Sequence, residues 1–322
     1  MGKRFSMKYA CLWGALVCVP LFVSCSDDDN NGGNSGGEEI SIPASVVDGV
    51  RVSGISSTDV EGSFSVDYND DGTPASATVA GQTFDFEYEP VTRAAVPTGK
   101  KLVKIGARNP EEASVTSSWV ATNFAFNTDG FVASYQEVIN ESGDGYSSKV
   151  VFFLTFDYNN KGQLQRVGIT GTENGIEDGE RYSEHISTEL KYVYSGDALE
   201  SASNTYDGET ISYTYEYGTD THANTYNVMT PQLAKGMAVY SPILYALANM
   251  GYMGNASAFL PTKCTYRSYS DYGDGDPDYD EKEEYDISYR FWDDNSFDKI
   301  RDITTTMPNG YGYTYSYTYF DK

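Results

Sequence analysis

The densest group of candidate metal ligands in this sequence is an acidic run near the C-terminus. Its carboxylates belong to Asp271, Asp274, Asp276, Asp278, Asp280, Glu281, Glu283 and Glu284. Asp274, Asp276 and Asp278 have the spacing of the first ligands of a calcium loop, and hard cations prefer clustered carboxylates. Tyr279 stands where such a loop needs glycine, and Tyr285 where it needs glutamate. The sequence favours a solvated acidic hairpin loop, with Ca²⁺ binding as the alternative and no other cofactor.

Residues suited to catalysis form no recognisable motif. The sequence has no Gly-rich phosphate loop, His-based metal motif or G-x-S-x-G elbow. Paired carboxylates for glycoside hydrolysis have no distinctive local context. We therefore predict a protein that is not an enzyme, with an envelope hydrolase as the weaker alternative.

A tyrosine ladder ends the chain and offers a different chemistry. Its rings fall on one face of a strand with period two: Tyr311, Tyr313, Tyr315, Tyr317 and Tyr319. One interpretation is a core face whose hydroxyls lie at a wet rim. The functional interpretation is an aromatic platform that stacks on a sugar or an apolar polymer.

Residues 1–24 have the parts of a secretory signal peptide, with a basic start, an apolar run and the small Ser24 at its end. Cys25 follows directly, and this junction resembles the lipobox of bacterial lipoproteins, although Phe22 replaces the usual leucine. The resemblance implies acylation of Cys25, which would carry palmitate-type chains and tether the protein to a membrane.

The residues after Cys25 resemble the acidic export signal of Bacteroidetes surface lipoproteins. They are Ser26, Asp27, Asp28 and Asp29. The resemblance implies lipid anchoring in the outer membrane, facing the extracellular side. The alternative is that residues 25–39 are simply a solvated acidic tether.

Charge narrows the set of partners. The chain has 22 basic and 47 acidic residues, and removing Lys3, Arg4 and Lys8 with the signal leaves 19 against 47, or a net charge of about −28. This charge argues against binding to nucleic acid. Cys264 is the one cysteine left after acylation of Cys25 and loss of residues 1–24, so we predict a buried structural thiol and no internal disulfide.

The rest of the chain has the pattern of repeated β-hairpins. Alternating aromatic residues precede Gly- or Asn-containing turns, for example Val66 to Tyr68 before Gly72, and Phe156 to Tyr158 before Gly162. We therefore predict an all-β fold, an antiparallel hairpin meander curled into a sandwich or incomplete barrel. It spans residues 40–322, with a sub-boundary near 90–110 as an option.

A helical insert interrupts this pattern near residues 231–254. Thr230-Pro231 and Ser241-Pro242 each place a capping hydroxyl before a proline, and Gly251 or Gly254 can end a helix. The segment has no charge from Ser241 to Thr262, so it must be buried or docked. Burial on the concave side of the sheet is the main prediction; a membrane or partner contact is the alternative.

Residues 240–266 are similar to a segment of a Bacteroidetes lipoprotein family of unknown function with a porin-like fold. The likeness lies in the run 250–254, M-G-Y-M-G, and the run 259–263, F-L-P-T-K. It implies an all-β fold in the cell envelope and no catalytic residues. The sequence thus predicts a non-catalytic surface lipoprotein that binds an extracellular ligand such as a glycan. A structural subunit docked on an outer-membrane protein is the alternative.

Overall fold

The computed structural model describes residues 51–58, 63–90, 100–108, 116–143, 145–206, 209–219, 222–229, 241–270, 279–292 and 299–320. Several sites predicted from the sequence lie outside these ranges. They are the signal peptide, Cys25, Ser26, Asp27, Asp28, Asp29, the calcium candidates Asp274, Asp276 and Asp278, and the insert before residue 241.

Sixteen antiparallel strands form the fold. They are β1 (Arg51–Ser57), β2 (Phe64–Tyr68), β3 (Pro74–Val79), β4 (Gln82–Pro90), β5 (Lys100–Ala107), β6 (Thr116–Phe126), β7 (Val132–Gly143), β8 (Tyr146–Tyr158), β9 (Leu164–Glu177), β10 (Glu180–Ser195), β11 (Ala198–Tyr206), β12 (Glu209–Glu216), β13 (Lys263–Ser270), β14 (Tyr279–Phe291), β15 (Ile300–Thr306) and β16 (Gly312–Phe320).

The sheet is a closed barrel, so the prediction of a sandwich or incomplete barrel is wrong. Each strand pairs with its neighbours in sequence, and β16 returns to β1 with Tyr317 opposite Ile55. Closure satisfies the backbone groups of both edge strands, which an open sheet would leave unpaired. The sheet also continues from β4 to β5 across the interval near residues 90–110, with Phe86 opposite Ile105.

Glycine turns set the hairpins, as the sequence predicts. Gly72, Gly130, Gly162 and Gly196 all have positive φ, between 65° and 88°. In the turn that follows β8, Gly162 N donates to Asn159 O at 3.0 Å, and Asn159 N donates to Gln163 O at 2.9 Å. Glycine takes this left-handed backbone without steric cost, so the chain reverses after each aromatic strand.

One helix, α1 (Pro242–Asn249), lies in the described part of the insert. The Ser241 side chain accepts from Leu244 N at 3.1 Å, and Pro242 occupies the first turn. The helix ends where Gly251 takes a φ of 83° and Tyr252 N donates to Leu247 O. Residues 243–248 are all buried, which confirms that the apolar segment is enclosed by protein.

The two faces of the barrel wall differ in chemistry. Inward residues are mainly apolar, and Phe84, Leu102 and Val167 are each 0% exposed. The outer face carries cross-strand ion pairs: Lys104 with Glu87 at 2.5 Å, Arg166 with Asp157 at 3.0 Å and Arg267 with Asp280 at 2.8 Å. The lumen is therefore the hydrophobic core, filled by side chains and by α1.

Within the described ranges, no helix has the length and apolar character needed to cross a membrane.

Candidate ligand-binding site at the barrel mouth

The two ends of the barrel differ because the long connection between β12 and β13 lies at only one of them. We call that end the insert end and the opposite end, where β13 turns into β14, the hairpin end. The connection hydrogen-bonds to hairpin turns: Asn255 N donates to Gly162 O at 2.8 Å, and Ala258 N donates to Asp197 O at 2.9 Å. Arg51 of β1, opposite Phe320 of β16, also lies at the insert end.

A group of polar and aromatic side chains faces the lumen near the hairpin end. We call it the tyrosine–glutamate cluster; its members are Glu209, Tyr213, Tyr266, Ser268, Glu281, Glu283 and Tyr285. Side chains alternate between the two faces of a strand, and Tyr215, Cys264 and Ile287 share the inward face with the cluster residues of β12, β13 and β14. These three residues are buried, so the cluster side chains also point into the lumen. Tyr213, Tyr266 and Tyr285 remain partly exposed. The cluster therefore lines the transition from core to solvent.

Contacts within the cluster hold rings and carboxylates side by side. Tyr213 and Tyr266 are opposite each other on β12 and β13, with ring centroids 5.5 Å apart. Ser268 Oγ donates to Glu209 at 2.9 Å, and the Tyr285 hydroxyl donates to Glu283. This arrangement presents ring faces together with carboxylate acceptors.

The cluster is anionic on the lumen side. Burial raises the pKa of Tyr266, and the charges of Glu281, Glu209 and Glu283 raise it further. The basic residues of β13 and β14 alternate to the outer face, where Arg267 pairs with Asp280 and Lys282 with Glu284. Tyr266 and Tyr285, whose pKa values burial raises, thus stay neutral hydroxyl donors beside negatively charged acceptors.

The tyrosine ladder extends from the hairpin end into the core. Tyr315 and Tyr317 are buried, whereas Tyr311 is 57% exposed. Tyr313 and Tyr319 are intermediate, and the Tyr319 hydroxyl donates to Ile300 O at the insert end. Tyr311 and Tyr313 contact edge to face at 5.4 Å. The ladder is therefore not one continuous exposed surface, and its accessible end is the hairpin end.

A second carboxylate pair lies on β9 and β10 near the same end. Glu173 is directly opposite Glu184, and it accepts from Ser148 Oγ at 2.6 Å and from the Tyr182 hydroxyl at 2.8 Å. Burial raises the pKa of Glu184, and the charge of Glu173 adds to this. Like charges directly opposite each other disfavour double ionisation.

The lumen also holds a carboxylate that the sequence analysis missed. Glu137 of β7 is 0% exposed and accepts from Ser241 Oγ at the start of α1. A signal for it was present, because Glu137 has the same strand phase as the apolar Tyr135 and Ile139. Glu209 and Tyr266 were likewise not predicted as site residues, since nothing local in the sequence reveals that their strands are neighbours.

The Cys264 thiol and the possible metal ligands were the remaining candidates. Cys264 is a free thiol with 0% exposure, and burial raises its pKa to about 12, which confirms a structural thiol. Among the described residues, no group of three or more His, Cys, Asp and Glu side chains is placed to hold a metal ion.

Comparisons with solved structures give only distant likenesses. No protein family matches the sequence, and no curated protein is similar to it. A solved porin-like protein from Bacteroides uniformis is similar over 84% of this chain and 98% of its own, with a TM-score of 0.47 and 15% identity. At that identity and TM-score, the likeness carries no argument about family or function.

Proposed function

We propose that this protein is a non-catalytic, lipid-anchored barrel of the outer membrane that binds a glycan at the tyrosine–glutamate cluster. The observation that carries the proposal is the set of partly exposed rings of Tyr213, Tyr266 and Tyr285, interleaved with carboxylates near the hairpin end. Barrel mouths are common ligand sites, and such sites combine aromatic surfaces with a few oriented polar groups.

The chemistry of the cluster narrows the class of glycan. Ring faces suit the apolar faces of sugars, and Glu281 and Glu283 can accept hydrogen bonds from sugar hydroxyl groups. A lumen side without an inward basic residue on β13 and β14 repels uronate and sulfate groups. The ligand expected is therefore a neutral or amine-bearing glycan.

Two features support attachment by a lipid tether and not by a barrel wall embedded in the membrane. The sequence junction at Ser24 and Cys25 is suited to acylation. The outer face carries ion pairs, such as Arg166 with Asp157, at positions where a lipid-facing wall would be apolar. Both features support a barrel that lies in water, next to a membrane that holds the acylated Cys25.

Glycan binding is tested by replacing the two rings that contact each other. Tyr213→Ala and Tyr266→Ala should each weaken binding of neutral oligosaccharides by about 2- to 12-fold, the range expected for loss of one aromatic contact. Isothermal titration calorimetry, after a glycan-array screen, measures the effect. Phe153→Ala is the matched control, because Phe153 is a 53% exposed ring on the outer face. Equal losses in all three variants would contradict a site at the cluster.

Docking on an outer-membrane protein is the second candidate function. The docking surface would then differ from the helical insert predicted from the sequence. The apolar residues of α1 are buried and do not form that surface. A row of outward valines crosses three strands instead, with Val120 opposite Val138 and Val138 opposite Val151, and Phe153 lies nearby. Co-purification of a stoichiometric partner that Val138→Glu removes would favour this function over glycan binding.

Surface export is tested at the acidic run after the anchor. Replacing Asp27, Asp28 and Asp29 with alanine should leave the protein in the outer membrane but protect it from protease added to intact cells. The reason is that the export machinery would recognise the negative charge of the run, which the variant lacks. Cys25 would still carry lipid and keep the variant in the membrane. Replacement of Asp70, an exposed aspartate of the β2–β3 turn, is the control. Unchanged digestion of the triple variant would reject the run as an export signal.

A further inference from the structure

Glu137 is a fully enclosed carboxylate in the wall of the lumen. It has 0% exposure, and the residues directly opposite it are Ala121 on β6 and Phe152 on β8. A buried carboxylate is unfavourable when ionised unless hydrogen bonds or an opposite charge replace its lost hydration. Its partners therefore decide in which protonation state it is stable.

Those partners connect the barrel wall to the first turn of α1. Trp119 Nε1 on β6 donates to Glu137, and Ser241 Oγ lies 2.9 and 3.1 Å from its two carboxylate oxygens. The same Ser241 oxygen accepts from Leu244 N at 3.1 Å. Ser241 is thus both the cap of the helix and its polar contact with Glu137.

Every described group that faces Glu137 is electrically neutral. Trp119 and Ser241 are neutral donors, and the phenol of Tyr135 on the same strand has a pKa that burial raises well above its usual value. No described Lys, Arg or His forms an ion pair with Glu137. Burial accordingly raises the pKa of Glu137 to about 7, although hydrogen bonds from Trp119 and Ser241 offset part of that rise.

We propose that Glu137 is a proton-operated latch that docks the N-terminus of α1 against the barrel wall. The neutral carboxyl carries no charge that needs hydration, so the helix stays docked. Ionisation places an unpaired charge in the lumen and favours a loosened helix end, because loosening admits water to the carboxylate. This device is independent of glycan binding at the hairpin end.

The sign of the pH dependence follows from linkage. The docked state holds a carboxyl whose pKa is about 7, against an ordinary value of 4.5 when the group is hydrated. Docking is therefore tightest below pH 4.5, weakens as the pH rises from there to about 7, and changes little above that. The pKa difference limits the change in the docking equilibrium to roughly 300-fold.

The test uses Trp119 as a reporter in the full mature chain. Trp292→Phe removes the other mature tryptophan, which is 58% exposed on the outside. Between pH 5 and 8, Trp119 fluorescence should follow one titration with a midpoint near 7, and amide hydrogen exchange of residues 243–249, corrected for intrinsic rates, should accelerate in parallel. Glu137→Gln should make both signals independent of pH. The latch would be overturned if both signals were independent of pH in the Trp292→Phe protein, or if they still titrated after Glu137→Gln was added.

Two further variants separate a latch from a carboxyl that merely titrates. Ser241→Ala keeps Glu137 and Trp119 but removes the connection to the helix, so fluorescence should still titrate while helix exchange no longer follows it. If exchange still follows fluorescence in this variant, the latch is rejected. Glu173→Gln is the control for a carboxylate elsewhere in the lumen, and it should leave the midpoint unchanged. Circular dichroism at each pH checks that every variant is folded.

Discussion

Cys25→Ala is expected to move the protein from the membrane fraction to the soluble fraction. Two or three acyl chains contribute about 0.8 kcal/mol per buried methylene, which makes anchoring effectively permanent, whereas the polar outer wall adds no comparable attraction. Membrane fractionation with immunoblotting measures the effect. Loss of radiolabelled palmitate from the variant shows in the same experiment that Cys25 is the acylated residue.

The matched control for this prediction is Cys264→Ala. Cys264 is buried in the barrel, so its removal should change neither fractionation nor labelling. A Cys25→Ala protein that remains with membranes after washes in high salt and alkali would reject the lipid anchor. It would then point to the barrel wall itself, or to a protein partner, as the membrane contact.

Leu247→Ala should reduce the free energy of unfolding by about 2–5 kcal/mol. Leu247 is 0% exposed on α1, and the helix is enclosed by barrel strands that pair on both sides. A closed wall cannot collapse onto the space that the lost side chain leaves, so the cost should lie toward the upper part of this range. Urea unfolding of the non-acylated mature chain, followed by far-UV circular dichroism, measures it.

Val193→Ala is the control for that measurement. Val193 is an apolar strand residue with 50% exposure, so its truncation should change the free energy of unfolding by less than about 0.5 kcal/mol. Similar losses for the two variants would mean that α1 contributes no more to stability than a surface side chain. The helix would then be a loosely held insert and not part of the core.

The local parts of the fold were predictable from the sequence. Alternating aromatics before Gly72 and Gly162 indicate hairpins because period two and positive φ are properties of a few adjacent residues. Ser241, Pro242 and Gly251 define the helix in the same local way. Barrel closure was not predictable, because the pairing of β1 with β16 joins residues whose separation leaves no local trace.

The site was predictable only in its residue types. Tyrosines and acidic residues stand out in composition, but the sequence cannot tell that Tyr213 lies opposite Tyr266. The tyrosine ladder has a single phase, yet its members differ in exposure because the strand runs from rim to core. Glu137 escaped notice because a carboxylate in a strand is normally read as solvent-facing.

The seam between the first and last strands also has a consequence for folding. Arg51 and Phe320 are paired although almost the entire barrel separates them in sequence, so the seam cannot form until β16 has been synthesised. Until then, β1 and the latest strand to pair present open edges, which invite pairing with other chains. Such distant contacts also slow folding. Chaperones that shield strand edges should therefore associate with the folding barrel until β16 is in place.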